Sequence, residues 1–171
     1  MKIRFLGAAR VVTGSCYHLI TDGLQILVDC GMYQGKNADE VNRQPFQFDP
    51  GQIDVLLLTH AHLDHSGLLP KLVADGFKGD IVATAGTAEL VEIMLLDSAH
   101  IQERDAEWMT KKSFRAGKDQ IYQPLYTEED AKGVMPFVKK VNYMETLQLK
   151  SGVRYRFIDA GHILGSGSLE I

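Results

Sequence analysis

Short apolar runs separated by glycine-rich or polar breaks dominate the first third of the chain. Ile3 to Leu6 and Cys16 to Ile20 read as strands, with the loop Gly7 to Ser15 between them. Asp22-Gly23 marks a tight hairpin into a third strand, Leu24 to Val28. Gly31 to Pro50 is polar and irregular and reads as a long loop. Val55 to Leu58 is a continuous apolar run, the pattern of a strand buried on both faces, and the polar turn Thr59 to His65 follows it.

The middle of the chain changes period. Gly67 to Ala74 reads as a helix stopped by Gly76, and Ile81 to Ala83 as a second buried strand. Thr87 is the expected cap of a longer helix, on which Leu90, Val91, Met94, Leu95 and Ala99 share one face. Arg104 to Lys118 is charge-rich and reads as a solvated helix end and loop, or alternatively as a substrate-facing or interdomain surface. Thr127 with Asp130 starts a short helix that Pro136 discourages from continuing. Tyr143 to Leu149 and Val153 to Ile158 alternate around Ser151-Gly152 as a second hairpin. A glycine-rich loop, Asp159 to Gly167, then leads into a strand at Leu169 to Ile171. Strands at both ends and helices between them predict a mixed α and β class, with sheets covered by helices.

Composition narrows this little. The 171 residues suit one domain, and 45% hydrophobic with 23% charged residues is ordinary for a globular protein. A net charge of −4 supplies no global positive field, so any contact with nucleic acid has to be local. Cys16 and Cys30, the only cysteines, lie in strand-like stretches and read as small buried residues with no disulfide demanded. No run reaches the ~20 apolar residues that span a membrane, and Met1 to Leu6 lacks a signal-peptide pattern. The expectation is a reduced, soluble, cytoplasmic protein without membrane contact.

The chemistry concentrates at Thr59-His60-Ala61-His62-Leu63-Asp64-His65. Three of the six histidines fall there, directly after a buried strand. Residues two apart in extended backbone point the same way, so His60 and His62 can reach one metal together. Asp64 repeats that period and His65 breaks it, so the same segment can serve a second, neighbouring metal. Imidazole and carboxylate suit zinc best, with iron or manganese as alternatives. A catalytic zinc usually takes three protein ligands. His162, in Ala160-Gly161-His162-Ile163-Leu164-Gly165-Ser166-Gly167, is the natural third. Asp29 ends the run Ile26-Leu27-Val28 and could hold the far nitrogen of a ligand histidine. His18 and His100 are expected to be structural or exposed.

The pattern of His60, His62, Asp64 and His65 resembles the metallo-β-lactamase superfamily. Gly7 to Ser15, Leu27 to Gly35, Thr59 to Pro70, Gly76 to Gly79 and Ala160 to Ser166 are similar to motifs of its β-CASP branch of RNA-processing nucleases. The resemblance implies a four-layered αβ/βα sandwich with a dinuclear zinc site at one edge of its sheets. It implies hydrolysis of RNA phosphodiester bonds by in-line attack of metal-activated water. His60, His62 and His162 match ligands of the first zinc. Asp64 and His65 match ligands of the second and take the catalytic assignment, Asp64 orienting or deprotonating the water. Asp29 matches an aspartate that supports the site.

The family pattern continues past Ile171 with a bridging aspartate, an inserted β-CASP domain and the second half of the sandwich. Residues 1–171 are therefore expected to be the N-terminal portion of such a domain. Such a portion would hold one zinc or none, lack activity by itself, and self-associate through an apolar face. Two other readings share the same ligands. One is a hydrolase of a small thioester, lactone or phosphodiester on this scaffold. The other is a non-catalytic piece that binds RNA or a partner.

Overall fold

The computed structural model describes all 171 residues. Its larger sheet has six strands in sequence order: β1 (Lys2–Phe5), β2 (Tyr17–Thr21), β3 (Leu24–Val28), β4 (Val55–Leu57), β5 (Asp80–Thr84) and β6 (Val138–Val141). The first three strands are antiparallel, turning at Asp22-Gly23, and β3 to β6 are parallel. Parallel pairing needs crossovers, and helices supply two of them. α2 (Leu63–Ser66) and α3 (Leu69–Ala74) join β4 to β5. α4 (Ala85–Arg115) and α5 (Glu128–Val134) join β5 to β6.

Alternation along the strands builds two cores. Leu27, Leu56, Leu58, Ile81 and Ala83 point to one face and pack with Leu69, Leu72, Val91, Leu95, Ala99 and Val134 of the helices. Leu19, Ile26, Val55, Leu57 and Val82 point to the other, where Tyr155 and Phe157 cover them. Those two aromatics belong to a second sheet of β7 (Leu147–Gln148), β8 (Arg154–Asp159) and β9 (Gly167–Glu170). The layers are thus helices, six-stranded sheet and three-stranded sheet. The apolar face expected to be bare is mostly covered by the second sheet. Its uncovered part lies on β1, where Ile3 and Phe5 are exposed beside Leu19 and Tyr17.

Several expectations change. The stretch read as loop from Gly31 to Pro50 contains a short helix, α1 (Ala38–Arg43). The helix cap is Thr84 rather than Thr87: the Thr84 hydroxyl accepts from the Thr87 amide, so the helix starts three residues earlier. That helix runs through Arg115, so Arg104 to Lys118 is a largely exposed helix end followed by loop, as the first of its two readings had it. The helix expected at Gly67 to Ala74 is present as Leu69–Ala74, and the segment Thr59 to His65, read as a polar turn, runs into a separate one-turn helix, Leu63–Ser66, that holds Asp64 and His65. β6 is a strand that the apolar pattern gave no reason to place, and of Tyr143 to Leu149 only Leu147–Gln148 pair as a strand. Both cysteines are free and buried.

Candidate metal centre

Three loops converge where the parallel strands end at their C-terminal edge, the usual location of sites in open sheets of this kind. Asp29 follows β3, Thr59 to His65 follow β4, and His162 comes from the β8–β9 loop. The last two are tied together by the amide of Gly167, which donates to the Thr59 carbonyl at 2.9 Å.

His60, His62 and His162 form a triangle of imidazoles. Ring centroids are 4.9 Å apart for His60 and His62, and 5.0 Å for each pair that includes His162. One nitrogen from each ring lies within 4.8 Å of the other two. His162 Nε2 sits 3.2 Å from His62 Nδ1. Metal–nitrogen bonds of about 2.0–2.1 Å in a tetrahedron put ligand nitrogens about 3.3 Å apart; the His62–His162 pair already has that spacing, and the other pairs, within 4.8 Å, would close further on a zinc-sized ion. Asp64 and His65 stand beside this group and are not part of it. His65 Nε2 is 3.9 Å from Asp64 Oδ2, and no third His, Cys, Asp or Glu joins them in a cluster.

Asp29 organises the rings from below. It is 1% exposed, with a left-handed backbone (φ 61°) that an aspartate tolerates better than most residues. Its Oδ2 lies 2.6 Å from His65 Nδ1, and a carboxylate only accepts, so that nitrogen carries the proton. Its Oδ1 accepts from the Thr59 amide at 2.8 Å, and its Oδ2 from the Thr59 hydroxyl at 2.9 Å. The Thr59 hydroxyl has spent its one proton on Asp29. Its lone pair therefore accepts from His60 Nδ1, 3.0 Å away. One carboxylate thus fixes two tautomers, His65 directly and His60 through Thr59. In both rings Nε2 keeps its lone pair.

The electrostatics follow. Burial, reinforced by the charges that His65, His62 and His162 would carry, lowers the His60 pKa to about 4. His60 therefore stays neutral, with a lone pair free to bind a metal, across the physiological range. Burial acts the same way on His65, but its bond to Asp29 and the charges of Asp29 and Asp64 outweigh it and raise its pKa.

Small polar side chains hold the loops in place, and sequence reasoning overlooked them. Ser66 Oγ bonds the carbonyls of Ala61 and His62 at 2.9 and 3.1 Å. Ser166 Oγ accepts from the amides of His162 and Ile163 at 3.0 and 3.2 Å. Thr84 and Thr87 both donate to the Gly165 carbonyl, fastening the His162 loop to the first turn of α4. Two glycines permit this closeness. A Cβ on Gly31 would stand 1.7 Å from the Asp64 carbonyl oxygen, and one on Gly165 (φ +82°) 2.1 Å from the Thr87 amide. His18 and His100 lie apart from the site. His18 is buried in β2, and His100 is on α4 with Nδ1 3.1 Å from Glu128.

A sheet flanked by helices, with a histidine-rich segment after a central parallel strand and a further histidine from the second sheet, defines a class. The family model of the metallo-beta-lactamase superfamily matches residues 9–139. The chain belongs to that superfamily. It is 39% identical over 166 residues to a protein named ribonuclease from Thermus thermophilus, with 97% of this chain and 34% of the relative covered. It is 32% identical to the transcription termination factor FttA of Methanosarcina mazei, covering 97% of this chain and 24% of that one. The chain thus spans about a quarter to a third of the length of the curated relatives it matches. Among solved structures, a metallo-beta-lactamase of Cronobacter sakazakii shares the fold with a TM-score of 0.54 at 20% identity, covering 98% of this chain and 54% of that one.

Proposed function

We propose that this chain carries the histidine centre of a metal-dependent hydrolase of RNA phosphodiester bonds, of the β-CASP type. The observation that carries the reading is the triangle of His60, His62 and His162, whose donor atoms lie within 4.8 Å of one another. The relative named ribonuclease supports RNA as the substrate class. His60, His62 and His162 would hold one zinc. A zinc ion bound there supplies Lewis acidity and lowers the pKa of a coordinated water. Asp29 and Thr59 keep the ring tautomers correct for ligation. Asp64, partly exposed at the mouth of the site, would orient the attacking water or accept its proton.

Asp64 and His65 would belong to a second metal position. Two ligands make that position weak in residues 1–171, which in this reading are the N-terminal portion of a longer domain that completes it.

The test is elemental analysis of the purified chain, followed by a substrate panel. Close to one zinc per chain, lost in His162→Ala, supports the centre. Zinc retained in His162→Ala would overturn the ligand assignment. The loaded chain is then offered an RNA oligonucleotide, a thioester and a lactone. RNA cleavage that disappears in His162→Ala supports the reading. Turnover of thioester or lactone with RNA intact would replace it with a small-molecule hydrolase. Zinc binding with no turnover would assign the isolated chain a binding role.

A further inference from the structure

α4 is far longer than its packing requires. Its 31 residues extend about 46 Å at 1.5 Å per residue. Apart from Ser113, its buried residues end at Ala99. The rest is held by the chain segment that follows, which returns along one side. The Gln102, Thr110 and Ser113 side chains accept from the amides of Leu125, Tyr122 and Gln120. The opposite side has no such cover.

That free side is mainly basic, with the exposed carboxylates of Asp105 and Glu107 flanking it. Arg104 and Trp108 are four apart, Trp108 stands three and four before the neighbours Lys111 and Lys112, and these stand four and three before Arg115, so the five form one continuous exposed face. Residues 108 to 118 contain four cations and no anion, in a chain whose net charge is −4. Trp108 is 58% exposed, and Lys112 Nζ lies 4.8 Å from its ring centroid. The one ion pair drawing on this face is the exposed Lys111–Glu107 contact.

We infer that this face of α4 binds single-stranded RNA away from the reaction centre. A row of cations tracks a phosphate backbone, and an exposed indole among them offers a stacking platform for an unpaired base. A membrane surface fits less well, because Ile101 and Trp108 are the only large apolar groups there and cations surround them. The first turn of α4 is bonded to the His162 loop, so Trp108 stands about 35 Å along the helix from the site. The surface therefore holds a part of the RNA remote from the bond being cut. The choice of RNA as partner rests on the function proposed above.

Trp108 is the only tryptophan, so its fluorescence reads this surface directly. The full chain is titrated with a labelled oligouridylate of about 12 nucleotides, a length within typical single-strand site sizes, following anisotropy and Trp108 emission together. Quenching should track anisotropy, favour the single strand over a duplex, and weaken with salt. Trp108→Ala should weaken binding about 5- to 100-fold, and Trp108→Phe should restore most of it. Lys112→Glu with Arg115→Glu should flatten the dependence of log affinity on log salt by about 0.7 per cation removed.

RNA binding with unchanged Trp108 emission would overturn the inference. So would emission that responds to anionic vesicles or to protein concentration but not to RNA. His162→Ala separates the two proposals. Quenching that survives in it, with no RNA cleavage by the parent, would sink the hydrolase reading alone; cleavage with a silent Trp108 would sink this surface alone.

Discussion

Asp29 Oδ2 and His65 Nδ1 are 2.6 Å apart, and that contact sets which nitrogen of His65 is free. Asp29→Asn keeps the shape and the left-handed backbone but removes the charge, and its single oxygen cannot accept from the Thr59 amide and from His65 together. The His65 pKa should then fall, because the charge of Asp29 is gone and its bond to the ring is lost or weakened, leaving Asp64 as the remaining influence that raises it. Imidazole NMR titration of the metal-free chain reads this. A His65 pKa unchanged in Asp29→Asn would show that Asp29 does not control the ring. Asp29→Ala goes further. It strands the Thr59 amide and hydroxyl in a buried site and should cost about 3–5 kcal/mol in denaturant unfolding.

Thr59 transmits the same carboxylate to His60, so its hydroxyl should matter more than its volume. Thr59→Val removes the group that accepts from His60 Nδ1 and lets the ring take the other tautomer. Zinc affinity should drop about 10- to 100-fold, the usual effect of removing a partner that orients a ligand histidine. Thr59→Ser should keep most of it. Competition with a chromophoric chelator measures both. Equal affinity in Thr59→Val and the parent chain would remove Thr59 from the site.

The difference between what the sequence disclosed and what it hid is physical. The cluster from His60 to His65 was legible because four donor residues crowd one strand end. The turns at Asp22-Gly23 and Ser151-Gly152 were legible because few dipeptides fit them. Thr59, Ser166 and Thr84 were not, because a small hydroxyl shows its role only once its partner is placed; Ser166 and the His162 amide, for example, meet through loop closure. β6 escaped because Val138-Lys139-Lys140-Val141 is short and carries exposed lysines, as edge strands do. The far half of α4 was legible only as a charged, solvated helix end, because the polar pins that hold it to the returning segment leave no apolar stripe.

Gly165 should be the position where the His162 loop is least tolerant of change. Alanine there would meet the Thr87 amide at 2.1 Å and adopt a positive φ that disfavours any side chain. Relief requires moving the loop off α4, which breaks the bonds of Thr84 and Thr87 to the Gly165 carbonyl. Gly165→Ala should therefore lose zinc much as His162→Ala does while the core, whose buried members all lie outside this loop, stays folded. Circular dichroism and metal content together check this. Full zinc occupancy in Gly165→Ala would show that His162 is placed by something else.

His18 links the fold to pH independently of the metal centre. It is 2% exposed in β2 with its ring 5.7 Å from Phe48, and neither ring nitrogen has a hydrogen-bond partner. Burial lowers its pKa; Gln25 nearby opposes the shift in part, and the Arg4 charge adds to it. The folded value therefore lies below the ~6.5 of an unfolded histidine, so the unfolded chain binds the proton first. The contribution is fully present above pH ~6.5 and declines as pH falls from there through the folded pKa. His18→Leu should remove this part of the decline. It should also raise stability at neutral pH by about 1 kcal/mol or more, since it deletes buried nitrogens that nothing satisfies. Denaturant unfolding at pH 7.5 and 5.5 (arbitrary points on either side of ~6.5) tests it. An acid sensitivity identical in the parent chain and His18→Leu would exclude His18 as its source.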